Sequence, residues 1–329
     1  GFIKNFIAMF MKLRLLRKNM VISNCYVRGV WGALLLIFTS PKSTIPYLYD
    51  VRGDLLDEGK AVGANSFKTS IYIILEKIAL KYAENVSTVS SKLKILINKR
   101  IGRHREMFVI PSCINYLDFG VSEKYWSTKR EELGFSKDDI VLIYSGGLSH
   151  YQKVPEMLEL WRRLHSEGIN IKFILLTNTD PHSLPSEVLG LERFGPSLKI
   201  FNLPRGEVYS ILHLADIAFL LRDDRTLNKA ASPVKFAEYI ASGLAVIGSP
   251  SIGDVSSHIR ENNLGMLISP SNLDEAYNDL LEFIKSFRVN KKSYGDRSKA
   301  FAKNNYDWQC HREKFIKIYG LPPVLEGED

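Results

Sequence analysis

The feature that most constrains this chain is a repeated alternation. Short apolar runs of strand length are separated by longer segments with apolar residues at helical spacing. In the first half the runs are "NMVISN" (19–24), "IPYLYDV" (45–51), "VSTVS" (86–90) and "MFVIP" (107–111). In the second they are "IVLIYSGG" (140–147), "IKFILLTN" (171–178), "LKIFNL" (198–203), "ADIAFLL" (215–221), "LAVIGS" (244–249) and "GMLIS" (265–269). Strands alternating with helices predict parallel sheets of the α/β class. A helix is expected over 66–83, and Ser90 or Ser91 is placed to cap "SKLKILINKR". The polar stretch 116–139 is expected as an irregular linker, and 304–320 as a last helix with an aromatic face. Two doubly wound domains follow, 1–130 and 131–304. Helix 305–320, with Trp308, is expected to pack back on the first. Such domains bind ligands beyond the carboxyl ends of their strands, in a cleft between the two.

Composition narrows the function classes. With 329 residues and 45% hydrophobic content, two domains can each bury a core. Cys25, Cys113 and Cys310 are far apart with no histidine cluster nearby, so free thiols in a reducing compartment are expected and a zinc site is not. A net charge of +8 suits anionic partners. The chain has no RNA-recognition motif or zinc finger, and its basic residues are dispersed, so nucleic acid is the weaker option. The longest apolar run, "VWGALLLIF" (30–38), is about half of the ~20 residues of a membrane span. The opening "GFIKNFIAMFMKLRLLRKN" carries Lys4, Lys12, Arg14, Arg17 and Lys18 after its apolar start, with no small-residue cleavage site. It reads as an amphipathic helix rather than a signal peptide, and packing on a sheet or contact with a membrane surface are both open. The first residue is not Met, as in a fragment or a processed chain.

The stretch "ASPVKFAEYIASGLAVIGSPSIGD" (231–254) carries the most chemistry. Ser232 is a candidate N-cap and Pro233 suits the first helical position. The N–H groups of Val234 and Lys235 then open an anion site at the helix start. Lys235 and Glu238, three apart, share a face. A phosphate at the helix start would have Lys235 beside it, and Glu238 a turn on could accept bonds from two ribose hydroxyls. A solvated Lys–Glu pair is the bland alternative that spacing leaves open.

"SPVKFAEYIASGLAVIGS" resembles the donor-binding region of glycosyltransferase family 4, the retaining GT-B enzymes. "VLIYSGGLSHYQKVPEMLELW" (141–161) is similar to their donor-domain strand, glycine turn and helix. "VSTVSSKLKILI", "VIPSCINYLDF" (109–119), "LADIAFLL" (214–221) and "ENNLGMLI" (261–268) follow in the family's order, and "YLYDVRGDLLDEG" (47–59) resembles polysaccharide-building members. The resemblance implies a GT-B fold, two Rossmann-like doubly wound domains facing each other across a cleft. It implies transfer of a sugar from a nucleotide diphosphate sugar to an acceptor hydroxyl with retention, without a metal or other cofactor. Bacterial surface polysaccharide synthesis, on a glycan or lipid-linked sugar acceptor, is the implied setting. The expected location is the cytoplasm, peripherally on the inner membrane face. By position, Glu238 would hold the ribose. Gly146, Gly147, Lys153, Ser232, Pro233, Val234 and Lys235 would face the diphosphate.

Three departures from the family pattern stand out. Ala230 occupies the place of a Glu that normally meets the donor sugar. Gly147 replaces an Arg of the glycine turn, a contact that Arg222, Arg225 or Lys229 would have to supply. Nothing before residue 19 resembles the family's opening strand and glycine-rich loop, so the first domain is expected to lack them. These departures motivate the alternative of a non-catalytic nucleotide-binding remnant or partner subunit of a split enzyme. A sugar-nucleotide epimerase would need carboxylates and a His that cannot be placed. Arg52 and Arg205 are candidate cleft or acceptor residues, with Arg52 also able to pair with Asp50 or Asp54 beside Asp57 and Glu58. His150 is expected at the surface, Asp216 at a strand start. No side chain stands out as a nucleophile.

Overall fold

The computed structural model describes residues 1–39, 45–56, 65–120, 123–179 and 192–322. Asp57 and Glu58 lie outside the described residues. The chain divides into two compact units. The first comprises 1–111, 229–231 and 311–329, the second 112–228 and 232–310.

The first unit holds a four-stranded parallel sheet in the order β1 (Cys25–Arg28), β2 (Tyr47–Val51), β3 (Asn85–Thr88), β4 (Phe108–Val109). Its helices are α1 (Phe2–Asn19), α2 (Val30–Thr39), α3 (Ser66–Tyr82), α4 (Ser91–Ile101) and, later in the chain, α12 (Arg312–Tyr319). Two of them start at a side-chain cap. Asn65 accepts the Lys68 N–H at 3.0 Å ahead of α3, and Ser90 accepts the Leu93 N–H ahead of α4. Gly102, at φ +68°, ends α4 in a left-handed conformation. The first strand is not at 19–24: α1 continues to Asn19, and the segment that pairs with β2 is Cys25–Arg28. Burial decides between the two. Val27 enters the core, whereas Val21 is 98% exposed and has no apolar surface to join.

The second unit is built on six parallel strands: β5 (Ile140–Ser145), β6 (Ile171–Leu176), β7 (Leu198–Phe201), β8 (Ile217–Leu220), β9 (Ala245–Gly248) and β10 (Gly265–Leu267). Across the sheet they run β10-β9-β8-β5-β6-β7. Counted within the unit this is the order 3-2-1-4-5-6 of dinucleotide-binding folds, and the succession reverses between β5 and β8. Alternate residues of β5 feed two cores. Ile140, Leu142 and Tyr144 pack with Val154, Met157 and Trp161 on one face; Val141 and Ile143 pack with Phe236, Ile240 and Val255 on the other. The covering helices are α5 (Glu123–Glu132), α6 (Val154–Ser166), α7 (Arg205–Leu212), α8 (Thr226–Lys229, ending in the first unit), α9 (Val234–Ala241), α10 (Val255–Glu261) and α11 (Leu273–Asn305).

The polar stretch 116–139 is not an irregular linker. It forms a 3-10 turn (Tyr116–Phe119) and α5. Its polarity misleads because α5 is anchored by a charge. Arg130 is buried and donates to Asp216 at 3.1 Å and to the Leu214 and Asp139 carbonyls. The tail also differs from a single helix over 304–320. The long α11 ends at Asn305, a 3-10 turn covers Trp308–His311, and α12 follows. Trp308 stays 41% exposed, its N–H bonded to the Ile114 carbonyl. Among the described residues, no helix is long and apolar enough to cross a membrane.

Candidate nucleotide site in the second unit

The carboxyl ends of β5 and β8 adjoin at the reversal of strand order, where sheets of this kind hold their ligands. β5 runs into Gly146 and Gly147. Gly146 adopts φ +147°, and a Cβ there would collide with Cε and Nζ of Lys235. The missing side chain therefore seats the lysine, which arrives from the first turn of α9. Its ammonium donates to the Tyr144 hydroxyl at 3.0 Å and to Gln152 Oε1 at 3.3 Å, 4.6 Å from the centre of the Tyr144 ring. The Tyr144 hydroxyl in turn donates to the Gly147 carbonyl at 2.7 Å. α9 is pinned to the strand end by Tyr239, whose hydroxyl accepts the Ser145 N–H at 2.9 Å. Gly147 has open space where a side chain would be.

Arg222 follows β8. Its guanidinium donates to Asn228 Oδ1 at 3.1 Å and lies over the Tyr151 ring at 5.8 Å, while Nε is buried without a partner. Asn228, fully inside, is fixed by bonds to the Asp223 carbonyl and carboxylate. Among the described residues, no carboxylate lies at ion-pair distance from Arg222 or Lys235. Burial pushes the Lys235 ammonium down to about 7, and the Arg222 charge adds to the fall while Glu238 opposes it. Burial also lowers Arg222. Two partly desolvated cations with no ion-paired carboxylate among the described residues are costly unless an anion joins them.

The sequence expectations divide over this geometry. Lys235, Gly146 and Gly147 come together, and Glu238 is buried (8% exposed) one turn along the same helix. Ser232 is not the N-cap. Pro233, extended at φ −68° and ψ 125°, holds that position and the helix opens at Val234; the Ser232 hydroxyl is taken by the Ser112 N–H at 3.1 Å. Pro233 is thus one residue outside the first helical position. The N–H groups of Val234 and Lys235 are still the first of the helix. Lys153, at φ +54°, caps α6 and pairs with Glu156 at 2.8 Å rather than with a site residue. Arg205 opens α7. In the first unit, Arg52 bonds Asp50 at 2.6 Å, and Asp50 also accepts from Tyr26 and Ser87. His150 is exposed, and Asp216 accepts the Val141 N–H at 2.9 Å at the strand start. Sequence spacing gave no signal for Tyr144 and Gln152 as partners of Lys235. Both sit in the quoted glycine-turn segment, but their role depends on a lysine about ninety positions on. Among the described residues, no three of His, Cys, Asp or Glu are grouped to hold a metal.

Residues 127–308, more than half of the chain, match the family described as Glycosyl transferases group 1. The chain belongs to that family. No curated protein matches it at a significant level. Among solved structures, this glycosyltransferase resembles the Anabaena HepE protein in complex with UDP (TM-score 0.74, 14% identity, 95% of this chain and 82% of that one). It also resembles sucrose-phosphate synthase from Thermosynechococcus elongatus (0.69, 14%, 91% and 73%) and trehalose 6-phosphate synthase from Burkholderia multivorans (0.69, 12%, 96% and 75%). At these identities the likeness fixes the fold, which is GT-B. In this transferase the position of the missing Glu, Ala230, is buried in the core of the first unit, and its carbonyl accepts the Ser90 hydroxyl at 2.8 Å. A carboxylate would not fit that apolar setting without a partner.

Proposed function

We propose that this glycosyltransferase takes a sugar from a nucleotide diphosphate sugar to an acceptor hydroxyl, with retention of configuration. The observation that carries the reading is the pair of half-buried cations, Lys235 over Gly146 and Arg222 beyond β8, with no carboxylate at ion-pair distance among the described residues. A diphosphate supplies the missing charge. In transfer, the bond from the anomeric carbon to the diphosphate oxygen breaks as the acceptor oxygen bonds that carbon. The acceptor proton passes to the departing phosphate, and Lys235 and Arg222 stabilise the charge that develops there. Arg222 is assigned the contact that Gly147 cannot make. Glu238 is assigned the ribose hydroxyls, and the Val234 and Lys235 N–H groups a phosphate oxygen. No metal is required in this scheme. UDP is the favoured nucleotide, because the HepE structures were solved with UDP and with UDP-glucose.

We assign the acceptor side to the synthesis of bacterial surface polysaccharide, on a glycan or lipid-linked sugar at the inner membrane face. That assignment rests on the resemblance of 47–59 to polysaccharide-building members and on the basic opening segment.

The test is calorimetric titration with UDP and GDP in a chelating buffer, repeated on Glu238→Ala. UDP binding without metal, weakened about tenfold or more in the variant, is expected, since a lost charged hydrogen bond costs about 1.5–3 kcal/mol. Unchanged affinity in the variant would remove Glu238 from the site, and no binding of either nucleotide would refute the reading.

A further inference from the structure

A second cavity of the same unit lies at the other end of the strands. Its wall includes the residues that lead into β8 and β9, namely Ala215 and Asp216, and Ser242 and Gly243. Gly146 and Arg222 stand after the strands, so this cavity opens on the sheet edge opposite the nucleotide site. Its volume is about 670 Å³, within the range of small-molecule sites.

One wall is the face of α11 that carries Arg288, Lys292, Gly295 and Lys299, spaced four, three and four residues apart. Two glycines bring this face close. A Cβ on Gly295 would stand 3.4 Å from the Gly243 carbonyl, and one on Gly243, at φ +80°, would stand 2.7 Å from Lys299 Cε. The Lys299 stem therefore lies along bare backbone.

The charges on this wall are unbalanced. Asp216 is already engaged by Lys291 at 2.6 Å, by Arg130 at 3.1 Å and by the Val141 N–H. Among the described residues, no carboxylate pairs with Arg288, Lys292 or Lys299, which leaves three cations of like sign around one opening. His213 adds a neutral polar group to the wall. It is 8% exposed, its Nε2 is buried without a partner, and burial, then the Lys299 charge, holds the imidazole down at about 4. A buried nitrogen with no partner costs free energy that a ligand atom would recover. Trp126 supplies apolar ring surface, and Asp296 and Ser242 supply acceptors for hydroxyl groups.

We propose that this cavity binds a phosphorylated sugar, its phosphate among Arg288, Lys292 and Lys299 and its ring against Trp126. Cations without counter-ions select a compact anion, and the aromatic wall with Asp296 and Ser242 selects a hydroxylated ring. The site is separate from the one assigned to the nucleotide and does not depend on that assignment.

The experiment uses the full chain saturated with UDP, so that the nucleotide site is filled. Glucose 6-phosphate is titrated by calorimetry and by tryptophan fluorescence, with glucose and inorganic phosphate as parallel probes. Saturable binding of glucose 6-phosphate is expected, tighter than that of either parallel probe, weakened about tenfold or more in Lys292→Ser/Lys299→Ser, and with its fluorescence change lost in Trp126→Phe. Both lysines are exposed, so the double variant should keep its fold, and an unchanged circular dichroism spectrum and thermal melt demonstrate this. Absence of saturable binding, indifference to the double substitution, or binding of glucose or inorganic phosphate as strong as that of the ester would each overturn the proposal.

Discussion

At the residue scale, Lys235 is the side chain on which most depends. Its folded-state value of about 7 lies below the ~10.4 of an unfolded lysine. Between those values the unfolded chain binds the extra proton, so stability should rise with pH from about 7 to 10 and level off above. Lys235→Met should flatten that rise in thermal melts; an identical pH profile in the variant would mean that the lysine is not desolvated. A diphosphate should restore the proton. At pH 8, UDP binding to the wild type should take up protons, and the calorimetric heat should vary with the ionisation enthalpy of the buffer. Lys235→Met should lose this dependence and bind UDP about 10–100-fold more weakly, or about 1.4–2.7 kcal/mol. Gly146→Ala probes the same spot from below. The added methyl displaces the ammonium and strains a positive-φ position at a cost of about 1–3 kcal/mol, so UDP affinity should fall while circular dichroism is retained. Wild-type affinity in this variant would show that the lysine can sit elsewhere.

At the element scale, the helices are held in place by different means. α4 depends on Ser90, whose hydroxyl accepts the Leu93 N–H and donates to the Ala230 carbonyl. Ser90→Ala removes both bonds and should lower the unfolding free energy by about 1–2 kcal/mol, read in urea melts as a lower midpoint at unchanged slope. A loss below about 0.3 kcal/mol would mean that packing alone places this helix. α5 is held instead by the buried Arg130–Asp216 pair, and α9 by Tyr239 on the Ser145 N–H. Most strands and the helix over 66–82 were legible from periodicity, because apolar spacing is local. The start of β1 and the order in 116–139 were not. A partner strand 22 positions away and an aspartate 86 positions away decided them.

At the scale of the whole molecule, charge is the property with most consequence. The net charge is +8, and the first 49 residues hold seven basic residues and no acidic one. α1 adds exposed Ile7, Met11 and Leu15 beside its Lys and Arg side chains. Each basic residue near an acidic lipid surface contributes about 1 kcal/mol. The chain should therefore sediment with vesicles containing anionic lipid, less so as salt is raised, and much less with neutral vesicles. Equal sedimentation with both kinds would reject a charge-driven attachment.

The sequence by itself determined the alternation of strands and helices, the α/β class with parallel sheets, the family resemblance, and a helix carrying Lys235 and Glu238 on one face. These depend on periodicity and spacing within a few turns of chain. Only the tertiary structure decided what that face meets. Gly146 seats Lys235, Tyr144 and Gln152 hold it, and Arg222 rather than Lys153 stands as the second half-buried cation, while Pro233 replaces Ser232 as cap. The reason is physical. Desolvation and pairing of charge depend on which atoms share a space, and Tyr144 and Lys235 share theirs across 91 positions of sequence.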